Sequence, residues 1–113
     1  MADVVYINEE EGKKRVMNNS KLYAKLLAKF KADTTIHELS SYAESQDWEK
    51  AQIAVHTIKG VAANLSLTEL FNQSLTVENQ IKGRSLRTES LDKYKACFSE
   101  TVIAAEKVIA ENA

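Results

Sequence analysis

The chain has 113 residues, 44% of them apolar and 27% charged, and 15 Lys and Arg against 16 Asp and Glu leave a formal net charge of −1. That is enough apolar residue for one small core and too little positive charge for nucleic-acid binding driven by bulk charge, and no apolar run approaches the ~20 residues of a membrane span. Zero Pro and three Gly, against averages of about 5% and about 7%, argue against a sheet protein, which needs turn residues at every reversal, and for an all-α chain with short connections.

No repeat, low-complexity tract or linker divides the sequence, so residues 1–113 read as a single domain. In chain order, Asn8-Glu9-Glu10-Glu11 starts a short helix to about residue 17, with Asn8 as cap and Glu11 at the capping-box position. Asn19 or Ser20 caps the next helix, whose apolar face is Leu22, Tyr23, Leu26, Leu27 and Phe30. The phase then breaks at Asp33 and Thr34, while Ile36, Leu39 and Ala43 lie roughly opposite. Thr35-Ile36-His37-Glu38 reads as a capping box, so a kink or restart is expected near 33–35, with helix continuing to about 45.

Asp47 caps a helix from 48 to about 64 with the face Ala51, Ala54, Val55, Ile58, Val61, Ala62 and Leu65. Ser66-Leu67-Thr68-Glu69 reads as the capping box of another, which uses Leu67, Leu70, Phe71, Val77 and Ile81 and ends at Gly83 as a C′ residue. A polar loop at 84–87 leads to a last helix from about 88, with the stripe Leu91, Tyr94, Phe98, Val102, Ala105 and Ile109. Four long amphipathic segments joined by short loops predict an antiparallel four-helix bundle, with a short additional N-terminal helix covering one end.

Two residues do not fit a purely structural reading. At ~100° per residue, His56 lies about 200° from the centre of its helix's apolar face and so points outward. Its neighbours there are Glu49, Gln52, Lys59, Gly60 and Ala63. A mid-helix Gly costs about 1 kcal/mol relative to Ala, and Gly60, one turn after His56, lets another surface approach the imidazole. Glu78 falls inside the apolar stripe of its own helix, and an inward carboxylate needs a donor from a neighbouring helix. An imidazole N–H or an ammonium would serve, and a pair with His56 requires both to lie near the groove between their helices. His37 shares the residue type without that context and reads as surface or structural. Trp48 reads as a packing anchor. Cys97 reads as a small buried hydrophobe.

The run His56-Thr57-Ile58-Lys59-Gly60-Val61-Ala62-Ala63-Asn64-Leu65 resembles the signature of histidine-containing phosphotransfer (HPt) domains. The Leu26-Leu27-Ala28-Lys29-Phe30 stretch, Asp47-Trp48 and Val77-Glu78 extend the resemblance over roughly residues 20 to 84. One departure is Ser66, where the family usually has Gly, and here it is expected to cap the following helix. The resemblance implies a bundle that carries a phosphoryl group on an exposed histidine between receiver aspartates, or from a sensor histidine kinase. Carried onto this chain, His56 is the phosphoacceptor and Lys59 neutralises phosphoryl oxygens. Gly60, with Gln52 and Ala63, forms the receiver approach. Glu78 orients the imidazole, and Asn64 is structural.

The chemistry of these residue types agrees. Imidazole, with an ordinary pKa of ~6.5, is largely neutral near pH 7, and a carboxylate on one ring N–H fixes the tautomer and supports the charge that develops on transfer. No Gly-rich nucleotide loop is present, so an ATP or kinase site is not expected. No cofactor is expected on this chain either, the Mg²⁺ of transfer falling to the receiver's acids. Two scattered His and one Cys argue against a metal site. A lone cysteine suits a reducing cytosol, and Val4-Val5-Tyr6-Ile7 is too short for a signal-peptide core, so a cytoplasmic monomer is expected, with receiver domains as partners. Two other readings stand beside this one: an adaptor that docks receivers without carrying phosphate, and the phosphoacceptor domain of a chemotaxis-type kinase excised from a longer chain.

Overall fold

The computed structural model describes residues 4–112. Among them the elements run α1 (Glu9–Arg15), α2 (Ser20–Ala32), α3 (Thr35–Glu44), α4 (Trp48–Leu65), α5 (Thr68–Lys82) and α6 (Thr88–Glu111). The bundle expected from periodicity is present, and its first rod is broken into α2 and α3. Together these run antiparallel to α4. Tyr23, near the start of α2, donates to the Leu65 carbonyl at the end of α4 at 2.7 Å. Tyr42, late in α3, has the Lys50 ammonium of early α4 at 5.8 Å from its ring centroid. On the far side α2 packs on α6 through Phe30 and Phe98, whose ring centroids are 4.9 Å apart. The α5–α6 seam holds a buried hydroxyl pair, Ser74 Oγ and Tyr94 Oη at 2.6 Å.

The break at α2–α3 lies where the hydrophobic phase changes, but its chemistry differs from the expected capping box. Asp33 takes an extended conformation, and its Oδ1 accepts from the Thr35 amide at 2.8 Å and from the Thr35 hydroxyl at 2.6 Å. Asp33 thus satisfies a free donor at the start of α3, while Thr34 occupies the cap position with no side-chain bond. The caps expected at Asn8, Asn19 and Asp47 all form, each side-chain oxygen accepting from the amide three residues on.

Two expected caps are corrected. Ser66 does not start α5. It ends α4 in the left-handed region at φ 56°, ψ 43°, and its hydroxyl donates to Glu11 Oε1 at 2.9 Å. Leu67, with no side-chain cap, precedes α5 instead. A residue with positive φ is what lets the chain reverse so that α5 lies back along α4, and glycine meets that need at least cost. At the other end of α5, Gly83 keeps φ −83° and Arg84 takes the positive φ of 52°, so the left-handed residue falls one position later than expected.

The short first helix covers one end of the bundle, as expected, ending at Arg15 rather than near 17. The Asn8 amide donates to the Ser66 carbonyl at 2.9 Å, and the Thr68 hydroxyl to the Val5 carbonyl at 3.2 Å. Gly12 is buried against Tyr23, so closely that a Cβ there would overlap the tyrosine ring. The core is the stripe set read from the sequence, with Tyr23, Leu27, Leu39, Val55, Leu67, Leu70 and Tyr94 fully enclosed. Leu22, expected on the apolar face of α2, is exposed. Cys97 is buried, and burial pushes its thiol up to about 11, consistent with a packing role. Among the described residues no helix is long and apolar enough to cross a membrane.

Candidate functional site

The site is assembled on the seam between α4 and α5. Asp47 caps α4 through the Lys50 amide, and Trp48 packs on the core beside it. The inward stripe of Ala51, Ala54, Val55, Ile58, Ala62 and Leu65 seats the helix. That rotation turns His56 outward, leaving its side chain 71% exposed. The antiparallel return through Ser66 brings α5 alongside, so that Glu78, in the stripe with Ser74, Val77 and Ile81, reaches the same seam from beneath.

Glu78 is the hub. Its side chain is only 7% exposed, and its two oxygens are divided between two partners on α4. Oε2 lies 3.3 Å from His56 Nδ1, and Oε1 accepts from the Lys59 ammonium at 2.6 Å. Both donors that an inward carboxylate could recruit are therefore engaged. Burial pushes the Glu78 carboxyl up, but hydrogen bonds from Lys59 and His56 and the charges of Lys59 and Lys82 outweigh it and hold the group below its ordinary 4.5. An ionised carboxylate only accepts, so the contact assigns the ring proton to Nδ1. The free lone pair then sits on Nε2. At 3.3 Å the ring bond is long and the lysine bond short, so Lys59 makes the stronger contact with the acid.

The other residues singled out from the sequence are spread around His56. A Cβ at Gly60 would have nothing within 4 Å, and the residue is exposed. Gln52 and Ala63 are half-buried. Ala63 faces a groove shared with Phe71 and Asn72 of α5. Lys59 does not stand free beside the imidazole: its side chain is 21% exposed and paired with Glu78. Asn64, expected to be structural, is exposed and lines a groove with Leu26 and Val61, so packing gives that role no support. His37 is exposed on α3, outside the His56–Lys59–Glu78 cluster.

Sequence reasoning missed Ile53, an apolar side chain 64% exposed, three positions before His56 on the same side of α4. Its signal was present, since Ile53 falls outside the apolar stripe with polar neighbours. Beside it, a groove of about 400 Å³ runs between α3 and α4, lined by Tyr42, Lys50, Ile53 and Thr57. Among the described residues no group of three or more His, Cys, Asp and Glu side chains could hold a metal ion.

An all-helical bundle that presents one imidazole in mid-helix, with its inner nitrogen held by a buried acid, belongs to a class built around a single accessible histidine nitrogen. The chain belongs to the Hpt domain family, whose model matches residues 25–106. The match starts inside α2 and runs into the last turns of α6, further than the motif resemblance reached, and leaves α1 outside. Histidine phosphotransfer in phosphorelays is the function this family implies. Searches of curated proteins and of solved structures found no match.

Proposed function

We infer that this protein is a phosphocarrier that takes a phosphoryl group onto His56 Nε2 from the aspartyl phosphate of a receiver domain and passes it to the aspartate of another. The observation that carries the reading is the shared carboxylate. Glu78 occupies Nδ1 at 3.3 Å, which leaves Nε2 as the nucleophile on a side chain 71% exposed.

In the loading step the Nε2 lone pair attacks phosphorus as the acyl P–O bond of the aspartyl phosphate breaks. The departing carboxylate stays on the receiver. The proton on Nδ1 stays in place and Glu78 offsets the positive charge that spreads over the ring. Transfer onward reverses the step at another receiver. Most of the catalysis is positioning and charge neutralisation, with Mg²⁺ held by the receiver's acids. Lys59 supplies positive charge from the α4–α5 side, and Gly60 leaves the approach clear. On the α3 side, Ile53 and its groove offer an apolar contact for the receiver. A monomer acting in the cytoplasm is the setting for this chemistry.

The test is transfer from a radiolabelled, phosphorylated receiver to the wild-type protein and to His56→Ala. Label on the wild type alone, labile to acid and stable to alkali, is the expected result. Label on neither protein from several receivers would refute loading by a receiver and favour an adaptor that only docks or a phosphoacceptor domain fed by a kinase.

A further inference from the structure

Lys59 faces two claims. In the structure its ammonium is committed to Glu78 Oε1 at 2.6 Å, and both side chains are largely covered. The pair is neutral, one positive charge against one negative. A phosphoryl group arriving on His56, three positions before Lys59 on α4, adds ≈ 1.5–2 negative charges at neutral pH and three strong acceptor oxygens. Two anions then compete for one ammonium. The other cation acting on Glu78 is Lys82, which lies on the exposed side of α5.

Resting on the reading of His56 as phosphoacceptor, we propose that phosphorylation draws Lys59 from Glu78 to the phosphoryl oxygens, and that Glu78 is a positioning residue which keeps the phosphohistidine transferable. The geometry supplies both halves. Lys59 is already folded down onto the seam, on the same carboxylate that holds the His56 ring. Glu78 keeps a second donor when the lysine leaves. With Nε2 phosphorylated, the ring N–H at Nδ1 is the donor of a cationic imidazole, and its contact with Oε2 tightens from 3.3 Å. The covered carboxylate is thus never unpartnered. Forming the phosphohistidine gives up the close Lys59–Glu78 contact, and passing the phosphoryl group on restores it. A neutral amide at position 78 would still hold the ring but would not compete for Lys59.

The test needs no partner protein. A His37→Gln background leaves His56 as the remaining histidine, and phosphoramidate loads it: Nε2 attacks phosphorus, the P–N bond of the reagent breaks, and ammonia leaves. The loaded ring is followed by ³¹P NMR, and Lys59 by the scalar coupling across its hydrogen bond from Nζ to the Glu78 carboxylate carbon. On loading, that coupling is expected to vanish and one from Nζ to phosphorus to replace it. The phosphohistidine of Glu78→Gln is expected to live at least threefold longer than that of the parent protein, a change that mere loosening of the fold would not produce. The coupling experiment needs no substitution at Glu78, so it decides the exchange even if Glu78→Gln folds poorly. An unchanged Lys59–Glu78 coupling in the loaded protein, or an equal or shorter lifetime in a folded Glu78→Gln, overturns the proposal while leaving the phosphocarrier intact. No phosphoryl signal on His56 at all would overturn both.

Discussion

Gly60→Ala adds one methyl group in the middle of α4, where the structure leaves nothing within 4 Å of the new Cβ. Glycine in a helix interior is about 0.8–1 kcal/mol less favourable than alanine, and no clash offsets the gain. The substitution should therefore stabilise the fold by nearly that amount, a rise in Tm of roughly 3–5 °C for a domain of this size. If Gly60 is there for access, transfer moves the other way. The methyl stands out by about 1.5 Å from the backbone, one turn from His56, and reacting atoms must come within ~3–3.5 Å, where a 1 Å misplacement can cost ~10²-fold. Gly60→Ala should slow transfer from a phosphorylated receiver several-fold, and Gly60→Gln should slow it by up to ~10²-fold. Thermal unfolding followed by helical circular dichroism gives the first quantity, and transfer at limiting receiver concentration gives the second. An unchanged or lower Tm for Gly60→Ala would refute the helix argument. Wild-type transfer by both variants would refute the access argument, because the two quantities would no longer oppose each other.

Gly12→Ala should destabilise, since its Cβ overlaps the Tyr23 ring, which cannot swing aside without losing its 2.7 Å bond to the Leu65 carbonyl; overpacking of about 1–3 kcal/mol should exceed the gain in helix propensity, and a urea midpoint at or above wild type would contradict this. Glu78→Gln should cost about 1–2 kcal/mol near neutral pH, because Lys59 loses its carboxylate. Glu78 is held below its ordinary 4.5 in the fold, so the unfolded chain binds more protons in acid; the stabilisation is whole above about pH 5 and fades as pH falls through the folded value. Urea midpoints of wild type and Glu78→Gln should accordingly converge as the pH falls below 4.5, and a gap that stays constant would exclude Glu78 as its source. Burial, with the charges of Glu9 and Glu11, pushes Tyr23 up to about 12, so its contribution is full below pH ~10 and is lost as pH rises through the folded value; wild type should lose stability between about pH 10 and 12 faster than Tyr23→Phe. Ser66→Ala should cost about 1 kcal/mol through the lost bond to Glu11, whereas Ser66→Gly should be close to neutral, its ease at φ 56° offsetting that loss; equal costs would show that the backbone conformation carries no weight.

What could be read before folding was local. Asn8, Asn19 and Asp47 cap through amides three residues away, a distance set by the helix itself. The 3.6-residue period placed Tyr23, Leu27, Val55 and Ile58 inward and His56 outward, because a helix that buries one stripe has no other choice of face. The same argument could have flagged Gly12. It sits inside a short charged helix, where glycine is as costly as at Gly60, yet only the packing shows that it makes room for Tyr23.

Where a residue's partner lies far along the chain, periodicity had nothing to say. Ser66 looked like a cap from its neighbours. Its conformation is instead set by the reversal between α4 and α5, and its hydroxyl is claimed by Glu11, 55 residues earlier. Glu78 shows both sides of the boundary. Its place in an apolar stripe demanded a donor, and the cost of an unpaired inward charge made that demand legible from the sequence. Which donor answered was decided by the packing of α5 on α4. That packing gave one oxygen to His56 and the other to Lys59, because only the tertiary fold sets the distance between two helices whose sequences each describe no more than their own faces.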